Sequence, residues 1–186
     1  LLGKALIYNG PITMLLSNKL NLALLSEHQD SELFSPEERK MIKAYIPWTR
    51  RIVPGKVAIA GETVEWEDFL RSQRTKLVIK PVRELGGIGV HVGRYTPPDQ
   101  WEIFIQQALR DEARNWIAQE YIETLPHLYR YGEEGCLEHE VVWGLFVFGR
   151  EYAGGFLRVI PKTENIKGII NTSQGAQETV IFEVDE

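Results

Sequence analysis

A glycine-rich segment between two short apolar runs constrains the fold of this chain more than any other feature. Leu77–Ile79 is an apolar run, residues 86–89 read Gly-Gly-Ile-Gly, and residues 90–93 return to an apolar pattern. Two short runs joined by glycines predict antiparallel strands with a flexible tip. The chain is therefore expected to build at least one antiparallel sheet.

The same hairpin offers groups that suit an anionic ligand. Lys80 ends the first strand, and Gly86, Gly87 and Gly89 follow at the tip. Glycines allow backbone N–H groups to approach phosphate oxygens, and the lysine adds a positive charge. Taken alone, the pattern is more often that of an ordinary hairpin turn. It lacks the Gly-Lys-Ser/Thr of a P-loop and does not open a helix, which excludes the P-loop and dinucleotide-binding folds.

Helix-start signals occur at three places outside the hairpin. Ser35 and Glu38 form a capping box around Pro36, which predicts a helix to about Tyr45. Ser17 is predicted to cap a helix over residues 18–28. Pro97-Pro98-Asp99 predicts a helix through residue 115. The other predictions are a helix over 65–71, an extended segment over 50–60, and strands over 5–8, 116–121, 140–148, 151–159, 168–171 and 179–184.

These elements predict the α+β fold class. A length of 186 residues fits one domain or two closely packed lobes. We expect an N-terminal mixed lobe over residues 1–75, followed by residues 76–186, which comprise the hairpin region 76–122 and a C-terminal sheet 138–186. The chain begins Leu1-Leu2-Gly3 without an initiator methionine, as expected for a fragment of a longer protein.

Charge and composition argue against several classes of protein. The net charge is -5 and the Lys and Arg residues are scattered, which argues against nucleic acid as a partner. The single cysteine, Cys136, favours a reducing, cytoplasmic location. No run of about 18 apolar residues occurs, so we expect no membrane partner. The sequence has no Gly-x-Ser-x-Gly elbow that would indicate a hydrolase.

Further candidate residues follow the hairpin. Gln119, Glu120, Tyr121 and Ile122 end a predicted strand, where backbone groups are able to meet the edge of an adenine; an ordinary polar strand end fits them as well. Arg158 lies on a predicted strand, where an arginine can neutralise a transferring phosphoryl group, although a surface ion pair is the more usual role. Asn171 follows with an amide oxygen suited to Mg²⁺.

In this order, the segments resemble the ATP-grasp superfamily. The resemblance rests on Asn18-Lys19, Ile46–Arg50, Ile79-Lys80-Pro81, Gly86–Val90, Gln119–Ile122, Gly155–Val159 and Asn171–Gly175. The last two segments are most similar to the circularly permuted ATP-grasp proteins related to glutathionylspermidine synthase. The resemblance implies two α+β lobes that grip ATP, with antiparallel-rich sheets and flanking helices, and a further domain missing from this fragment.

The resemblance also implies an activity and a role for each residue. The activity is ATP- and Mg²⁺-dependent ligation of a carboxylate to an amine through an acyl phosphate, on a small-molecule or peptide substrate. Lys80 and Lys19 would hold phosphates, and Gly86, Gly87 and Gly89 would cover them. The strand end Gln119, Glu120, Tyr121 and Ile122 would receive adenine, Arg158 would stabilise the transferred charge, and Asn171 would ligate Mg²⁺.

One departure from the superfamily concerns the metal. Acidic residues usually stand two positions before the metal-binding Asn and two after the strand arginine, where this chain has Ile169 and Ile160. Glu140 is the first candidate for a substitute ligand, ahead of three other glutamates, Glu138, Glu164 and Glu178. A catalytically degenerate ATP-grasp domain with a binding or scaffolding role is the alternative prediction, and a kinase-like phosphotransferase is a third.

Overall fold

The computed structural model describes residues 10, 12–59, 61–130, 132 and 135–182. The predicted strand over Ala5–Tyr8 lies outside these residues. Within them, the helices are α1 (Thr13–Leu16), α2 (Leu20–Glu27), α3 (Pro36–Tyr45), α4 (Trp66–Ser72) and α5 (Pro98–Arg110). The strands are β1 (Thr49–Arg51), β2 (Lys56–Ile59), β3 (Glu62–Glu65), β4 (Leu77–Pro81), β5 (His91–Val92), β6 (Trp116–Glu120), β7 (His127–Arg130), β8 (Cys136–Phe148), β9 (Glu151–Pro161) and β10 (Gln177–Val180).

The strands form two four-stranded antiparallel sheets and a separate hairpin. The first sheet has the order β1-β6-β4-β5, the second has the order β10-β9-β8-β7, and β2 pairs with β3. This mixed architecture with antiparallel sheets agrees with the predicted α+β class. Strand β1 precedes Thr75 yet pairs with β6, so the first sheet spans the predicted lobe boundary. The division into 1–75 and 76–186 stays a prediction.

The glycine-tipped hairpin and the helix at Ser35 are as predicted. Strands β4 and β5 pair antiparallel, with Val78 opposite Val92. At α3, Ser35 Oγ accepts a hydrogen bond from Glu38 N at 3.2 Å, and Glu38 Oε2 accepts one from Ser35 N at 2.8 Å. Both capping bonds satisfy backbone N–H groups locally, so the pattern needs no distant partner.

The predicted cap at Ser17 is wrong. Helix α2 begins at Leu20, and Ser17 instead ends α1, with its hydroxyl donating to Met14 O at 2.9 Å. Asn18 Oδ1 accepts from Leu20 N at 2.9 Å, and Lys19 N donates to Val82 O at 2.9 Å. The bond to Val82 ties this segment to the first sheet, a constraint that local sequence does not contain.

The predicted strand over 168–171 is also wrong. Gly168 has a positive φ of 66°, and Asn171 caps a short 3₁₀ turn at Thr172–Gln174. The first feature interrupts extended backbone at residue 168, the 3₁₀ turn ends it after Asn171, and no strand of either sheet pairs with the described residues between them. Strand β10 covers Gln177–Val180, so it overlaps the predicted 179–184 at residues 179 and 180, and residues 183 and 184 are outside the described residues. Helix α5 ends at Arg110, five residues early, and strands β3 and β7 were not predicted.

The two faces of the first sheet have different roles. Side chains alternate along each strand, so Leu77 and Ile79 point to one face and Val78 and Lys80 to the other. The first face packs on α4 and α5 in a core that includes Trp66, Leu70, Trp101, Ile105, Trp116 and Ala118. On the second face, α2 covers Ile117 and Val82 through Ala23. The remainder of that face is free to border a cavity.

No helix within the described ranges combines the length and the apolar character that crossing a bilayer requires.

Candidate functional site

A cavity of about 570 Å³ lies where the two sheets meet. Its size falls within the usual range for small-molecule sites. It is lined by residues from β4, β6, β8 and the segments beside them: Pro47, Val78, Lys80, Val90, Val92, Gln119, Glu120, Tyr121, Ile122, Thr124, Val142, Gly168, Ile169 and Ile170. The structure thus brings five sequence-predicted residues, Lys80 and Gln119–Ile122, to one cavity whose other walls are mainly apolar.

Gln119 fixes the position of the Lys80 ammonium group. Lys80 Nζ donates to Gln119 Oε1 at 2.5 Å, and Gln119 Nε2 donates to Thr49 Oγ1 at 2.8 Å. Thr49 Oγ1 in turn donates to Pro47 O at 2.8 Å. The strands make this relay possible because Gln119 lies opposite Val78, on the face that carries Lys80. The Gln119 side chain therefore acts by positioning Lys80.

Lys80 and Lys19 lie close enough to influence each other electrostatically. Burial and, to a smaller extent, the positive charge of Lys19 together lower the pKa of Lys80 to about 8. Burial also lowers the pKa of Lys19, an effect that the charge of Glu84 opposes. Lys19 Nζ donates to Glu84 O at 2.5 Å, which holds it beside the hairpin. Two crowded, partly desolvated ammonium groups favour an anion at this end of the cavity.

The strand end at residues 120–122 offers fewer backbone groups than its sequence indicates. Glu120 N donates to Trp48 O at 2.8 Å, and Tyr121 N donates to Lys76 O at 2.9 Å. The Ile122 N–H forms no hydrogen bond with the described residues. Among the N–H groups of residues 120–122, that of Ile122 is therefore the one open to a ligand edge.

Tyr121 is held in place by a group of polar and aromatic neighbours. Its pKa is raised, first by burial and then by a hydrogen bond with Tyr95. The Arg94 guanidinium carbon lies 4.9 Å from the Tyr121 ring centroid, and Arg94 pairs with Glu123 at 3.3 Å. These contacts orient the ring, so Tyr121 is a fixed wall of the cavity.

The glycine-rich tip contacts the segment that precedes β10. Gly86, Gly87 and Gly89 all have positive φ angles, of 64°, 78° and 66°. A Cβ at Gly87 would lie 2.9 Å from Ile169 Cγ2, so only glycine allows this approach. Ser173 Oγ donates to Gly86 O. The tip therefore bridges the first sheet to the segment that carries Ile169 and Asn171.

Arg158 lies on the face of the second sheet that borders the cavity. Directly opposed residues of antiparallel strands share a face, and Arg158 is opposite Val142, which lines the cavity. Its guanidinium carbon lies 4.8 Å from the Phe156 ring centroid. The buried Nε atom forms no hydrogen bond with the described residues. An unpaired buried donor of this kind suits a negatively charged ligand.

The predicted magnesium ligands are occupied by other contacts. Asn171 Oδ1 accepts a hydrogen bond from Ser173 N at 3.0 Å, and Ser173 Oγ lies 2.9 Å away as a second donor position for the hydroxyl that is otherwise directed to Gly86 O. Glu140 is buried and accepts a hydrogen bond from Asn165 Nδ2. Thr172 Oγ1 donates to Glu178 Oε1 at 2.8 Å, which brings Glu178 to the Asn171 turn.

A donor set suited to a divalent cation is not assembled here. The described part of the chain has no group of three or more His, Cys, Asp or Glu side chains able to hold a metal ion. Mg²⁺ prefers a set of carboxylate and water oxygens. The residues around Asn171 do not fit the ion, and its role stays a prediction.

Sequence reasoning missed Thr124 in the cavity wall. Its Oγ1 atom is buried and forms no hydrogen bond with the described residues. Nothing in the sequence distinguishes this threonine, because its burial depends on how residues 121–126 pass between the sheets. A buried hydroxyl without a partner is a ready contact for a polar ligand atom.

Comparisons with protein-family models and with curated proteins found no match to this chain.

Proposed function

We propose that this chain is an ATP-grasp domain that binds ATP between its two sheets and ligates a carboxylate to an amine. The observation that carries the proposal is the convergence of Lys80 with the strand end Gln119–Ile122 in one cavity. A nucleotide needs a cationic end for its phosphates and an apolar slot with an open backbone group for its base. The cavity supplies both.

The orientation of ATP follows from the two ends of the cavity. Lys80 and Lys19 receive the phosphates, and the glycine-rich tip, which contacts Ile169 and Ser173, covers them. Ile122 offers its backbone N–H to the adenine edge, with Val78, Val142 and Ile170 among the apolar walls. Arg158 approaches from the second sheet with an unpaired Nε.

The proposed reaction has two steps. A carboxylate oxygen bonds to the γ-phosphorus as the bond to the β,γ-bridging oxygen breaks, which gives an acyl phosphate and ADP. The amine then attacks the acyl carbon, phosphate leaves, and the nitrogen loses a proton to form the amide. Lys80 and Arg158 stabilise the negative charge that moves in the first step, because phosphoryl transfer depends mainly on positioning and electrostatics. No step is assigned to Mg²⁺.

A second candidate function is nucleotide binding without ligation. It is favoured by Ile169, which lines the cavity, and by Ile160, which is buried, at the two positions that are acidic in ATP-grasp ligases. The Asn171 oxygen is also committed to the Ser173 cap. On this alternative, the domain uses ATP as a structural or regulatory ligand in a binding or scaffolding role.

Calorimetric titration of the full chain with ATP, with and without Mg²⁺, tests the shared part of both proposals. We expect saturable binding with one site. Absence of binding by protein with a native circular dichroism spectrum would exclude both functions.

A phosphate-release assay then separates the activities. If the chain is a ligase, free phosphate is released only when both a carboxylate and an amine are present. ATP binding without phosphate release from mixtures of amines and carboxylates would support the non-catalytic candidate. ADP formation without free phosphate would indicate a phosphotransferase.

The pH dependence of ATP affinity provides a specific test of Lys80. Its pKa of about 8 in the free protein means that Lys80 is half charged at pH 8 and nearly fully charged only at about pH 7 and below. Bound phosphate stabilises the ammonium form and raises the pKa, so affinity is expected to be constant below about pH 7, to be about half of that value at pH 8 and to fall further toward about pH 10. Binding at pH 8 should take up about half a proton, measurable by calorimetry in buffers of different ionisation enthalpy.

The control for this pH profile is Lys80→Met, which retains Lys19. The variant should lose both the proton uptake and most of the decline in affinity above pH 8. A wild-type profile that stays flat to pH 9.5, with folding confirmed by circular dichroism, would contradict the assignment of Lys80 to the phosphates.

Substituting Thr124 tests the base and ribose end of the cavity. Thr124→Val keeps the shape and removes the hydroxyl, so ATP affinity is expected to fall about five- to tenfold, the value of one neutral hydrogen bond. Stability should not fall, because the hydroxyl has no hydrogen-bond partner among the described residues. Thr124→Ser retains the hydroxyl and should bind ATP nearly as well as the wild type. Equal affinity of the valine and wild-type proteins would remove Thr124 from the site.

A further inference from the structure

A second cavity, of about 290 Å³, lies beside the segment that leads into Lys19. It is lined by Met14, Leu15, Ser17, Asn18 and Arg83. Nothing in the roles assigned to ATP uses this cavity.

Lys19 connects this cavity to the proposed phosphate site. Its backbone N donates to Val82 O at 2.9 Å and its Nζ donates to Glu84 O at 2.5 Å, so it is bonded on both sides of Arg83. Asn18, the neighbour of Lys19, lines the cavity, while the charge of Lys19 reaches Lys80. A ligand in this cavity would therefore lie next to the phosphates of bound ATP.

The polar groups of the cavity suit a carboxylate. Arg83 is exposed and forms no hydrogen bond or ion pair with the described residues. Asn18 Oδ1 is occupied by Leu20 N, which orients the side chain and leaves its amide N–H groups as donors. A guanidinium beside an amide donor is a favourable arrangement for a carboxylate.

The other wall is apolar and exposed. Met14 is 75% exposed and Leu15 is 71% exposed, on the short helix α1. Exposed apolar side chains beside an unpaired cation fit a ligand that is itself apolar at one end and anionic at the other. A free phosphate or a wholly polar acid would leave Met14 and Leu15 uncovered.

We propose that this cavity binds the acceptor carboxylate of the ligase, and that the acceptor is an amino acid or peptide C-terminus with an apolar side chain. The inference rests on the proposed function, which requires a carboxylate next to the γ-phosphoryl group. Arg83 and Asn18 bind the carboxylate, and Met14 and Leu15 contact the side chain. Lys19, next to Asn18 in the chain, then lies between the carboxylate subsite and the ATP site.

Saturation-transfer NMR with N-acetyl-leucine tests the proposal on the full chain, with and without a non-hydrolysable ATP analogue. N-acetyl-leucine should bind, with transfer strongest at its methyl groups. N-acetyl-leucinamide, which lacks the carboxylate, and acetate, which lacks the side chain, should each bind about tenfold more weakly or not at all. Arg83→Gln should reduce N-acetyl-leucine affinity about tenfold, and Arg83→Lys should restore part of it.

Arg150→Gln is the matched control, because Arg150 is also exposed and lies in the turn between β8 and β9. It should bind N-acetyl-leucine as the wild type does. No binding by the wild type, equal loss with Arg150→Gln, or unchanged binding by Arg83→Gln would overturn the proposal. A dimer detected by light scattering and broken by Leu15→Asp would also overturn it, because Met14 and Leu15 would then be covered by a second copy of the chain.

ATP titration of Arg83→Gln keeps this inference distinct from the proposed function. ATP affinity should stay within about twofold of the wild type, because Arg83 lies outside the ATP cavity. Loss of ATP binding in the wild type would remove the proposed function. Intact ATP binding with an N-acetyl-leucine signal insensitive to Arg83→Gln would remove the acceptor pocket alone.

Discussion

Replacing Lys80 with methionine is expected to weaken ATP binding by roughly 100-fold, the value of about 3 kcal/mol for a charge-assisted hydrogen bond at a partly buried site. Lys80 is held by its hydrogen bond to Gln119 and lies near the charge of Lys19. A mobile surface lysine would not reproduce this fixed position. Methionine keeps the length and apolar stem of the side chain. Calorimetric titration with ATP measures the loss directly.

The same substitution should change stability little. Removing a desolvated ammonium group favours folding, whereas leaving Gln119 Oε1 without its donor opposes it, so the net change in unfolding free energy is expected to stay within about 1 kcal/mol. Lys76→Met is the control, because Lys76 precedes the same strand and is exposed. An unaltered ATP affinity for Lys80→Met, or an equal loss for Lys76→Met, would refute the role of Lys80.

The predicted metal site is where the resemblance and the geometry disagree most. Ile169 faces the cavity, and Asn171 Oδ1 is occupied by Ser173. Glu178, linked to the Asn171 turn through Thr172, is the glutamate that the structure brings to this segment, whereas Glu140 is committed to Asn165. If Mg²⁺ strengthens ATP binding, Glu178→Gln should reduce that effect more than Glu140→Gln does.

Sequence alone predicted the features that local chemistry determines. The Ser35 capping box closes within four residues, and the β4–β5 hairpin is defined by apolar runs and a glycine tip. Strand β6 follows from its own apolar residues, and Gln119 at its end was therefore a candidate before its partner was known. In each case the residues that set the structure lie next to one another along the chain.

Features that depend on distant partners were not predictable. The bond between Lys80 and Gln119 joins residues 39 positions apart and requires the β4–β6 register. The start of α2 is set by the hydrogen bond from Lys19 N to Val82 O. The burial of Thr124 is set by the passage of its loop between the two sheets. The sequence also does not show which N–H group of the strand end is open. Ile122 N–H is open because Trp48 O and Lys76 O accept hydrogen bonds from Glu120 N and Tyr121 N.

Replacing Trp101 with alanine is expected to cost about 3–5 kcal/mol of unfolding free energy, the range for removing a large aromatic side chain from a core. Trp101 is 1% exposed and packs in the cluster beneath β4 and β6. Its Nε1 also donates to Leu70 O at 2.9 Å, so the variant leaves that carbonyl unpaired. Urea denaturation followed by far-ultraviolet circular dichroism measures the loss.

Two variants of α5 separate the contributions. Trp101→Phe retains a ring and loses the hydrogen bond, so it should cost less than alanine. Ile103→Ala, at a side chain that is 62% exposed on the same helix, should change the unfolding free energy by at most about 0.5 kcal/mol. A loss below about 1 kcal/mol for Trp101→Ala would mean that α5 contributes little to the core.

Trp101→Ala also tests whether ATP binding in the cavity depends on the core on one face of the first sheet, or only on the opposite face, which carries Lys80 and Gln119. Leu77 and Ile79 contact this core, while Lys80 points to the opposite face of the same strand. At a temperature where the variant remains folded, its ATP affinity should therefore stay within about threefold of the wild type. A much larger loss with native circular dichroism would mean that the core positions Lys80 and Gln119, and the site would then be coupled to helix packing on the far side of the sheet.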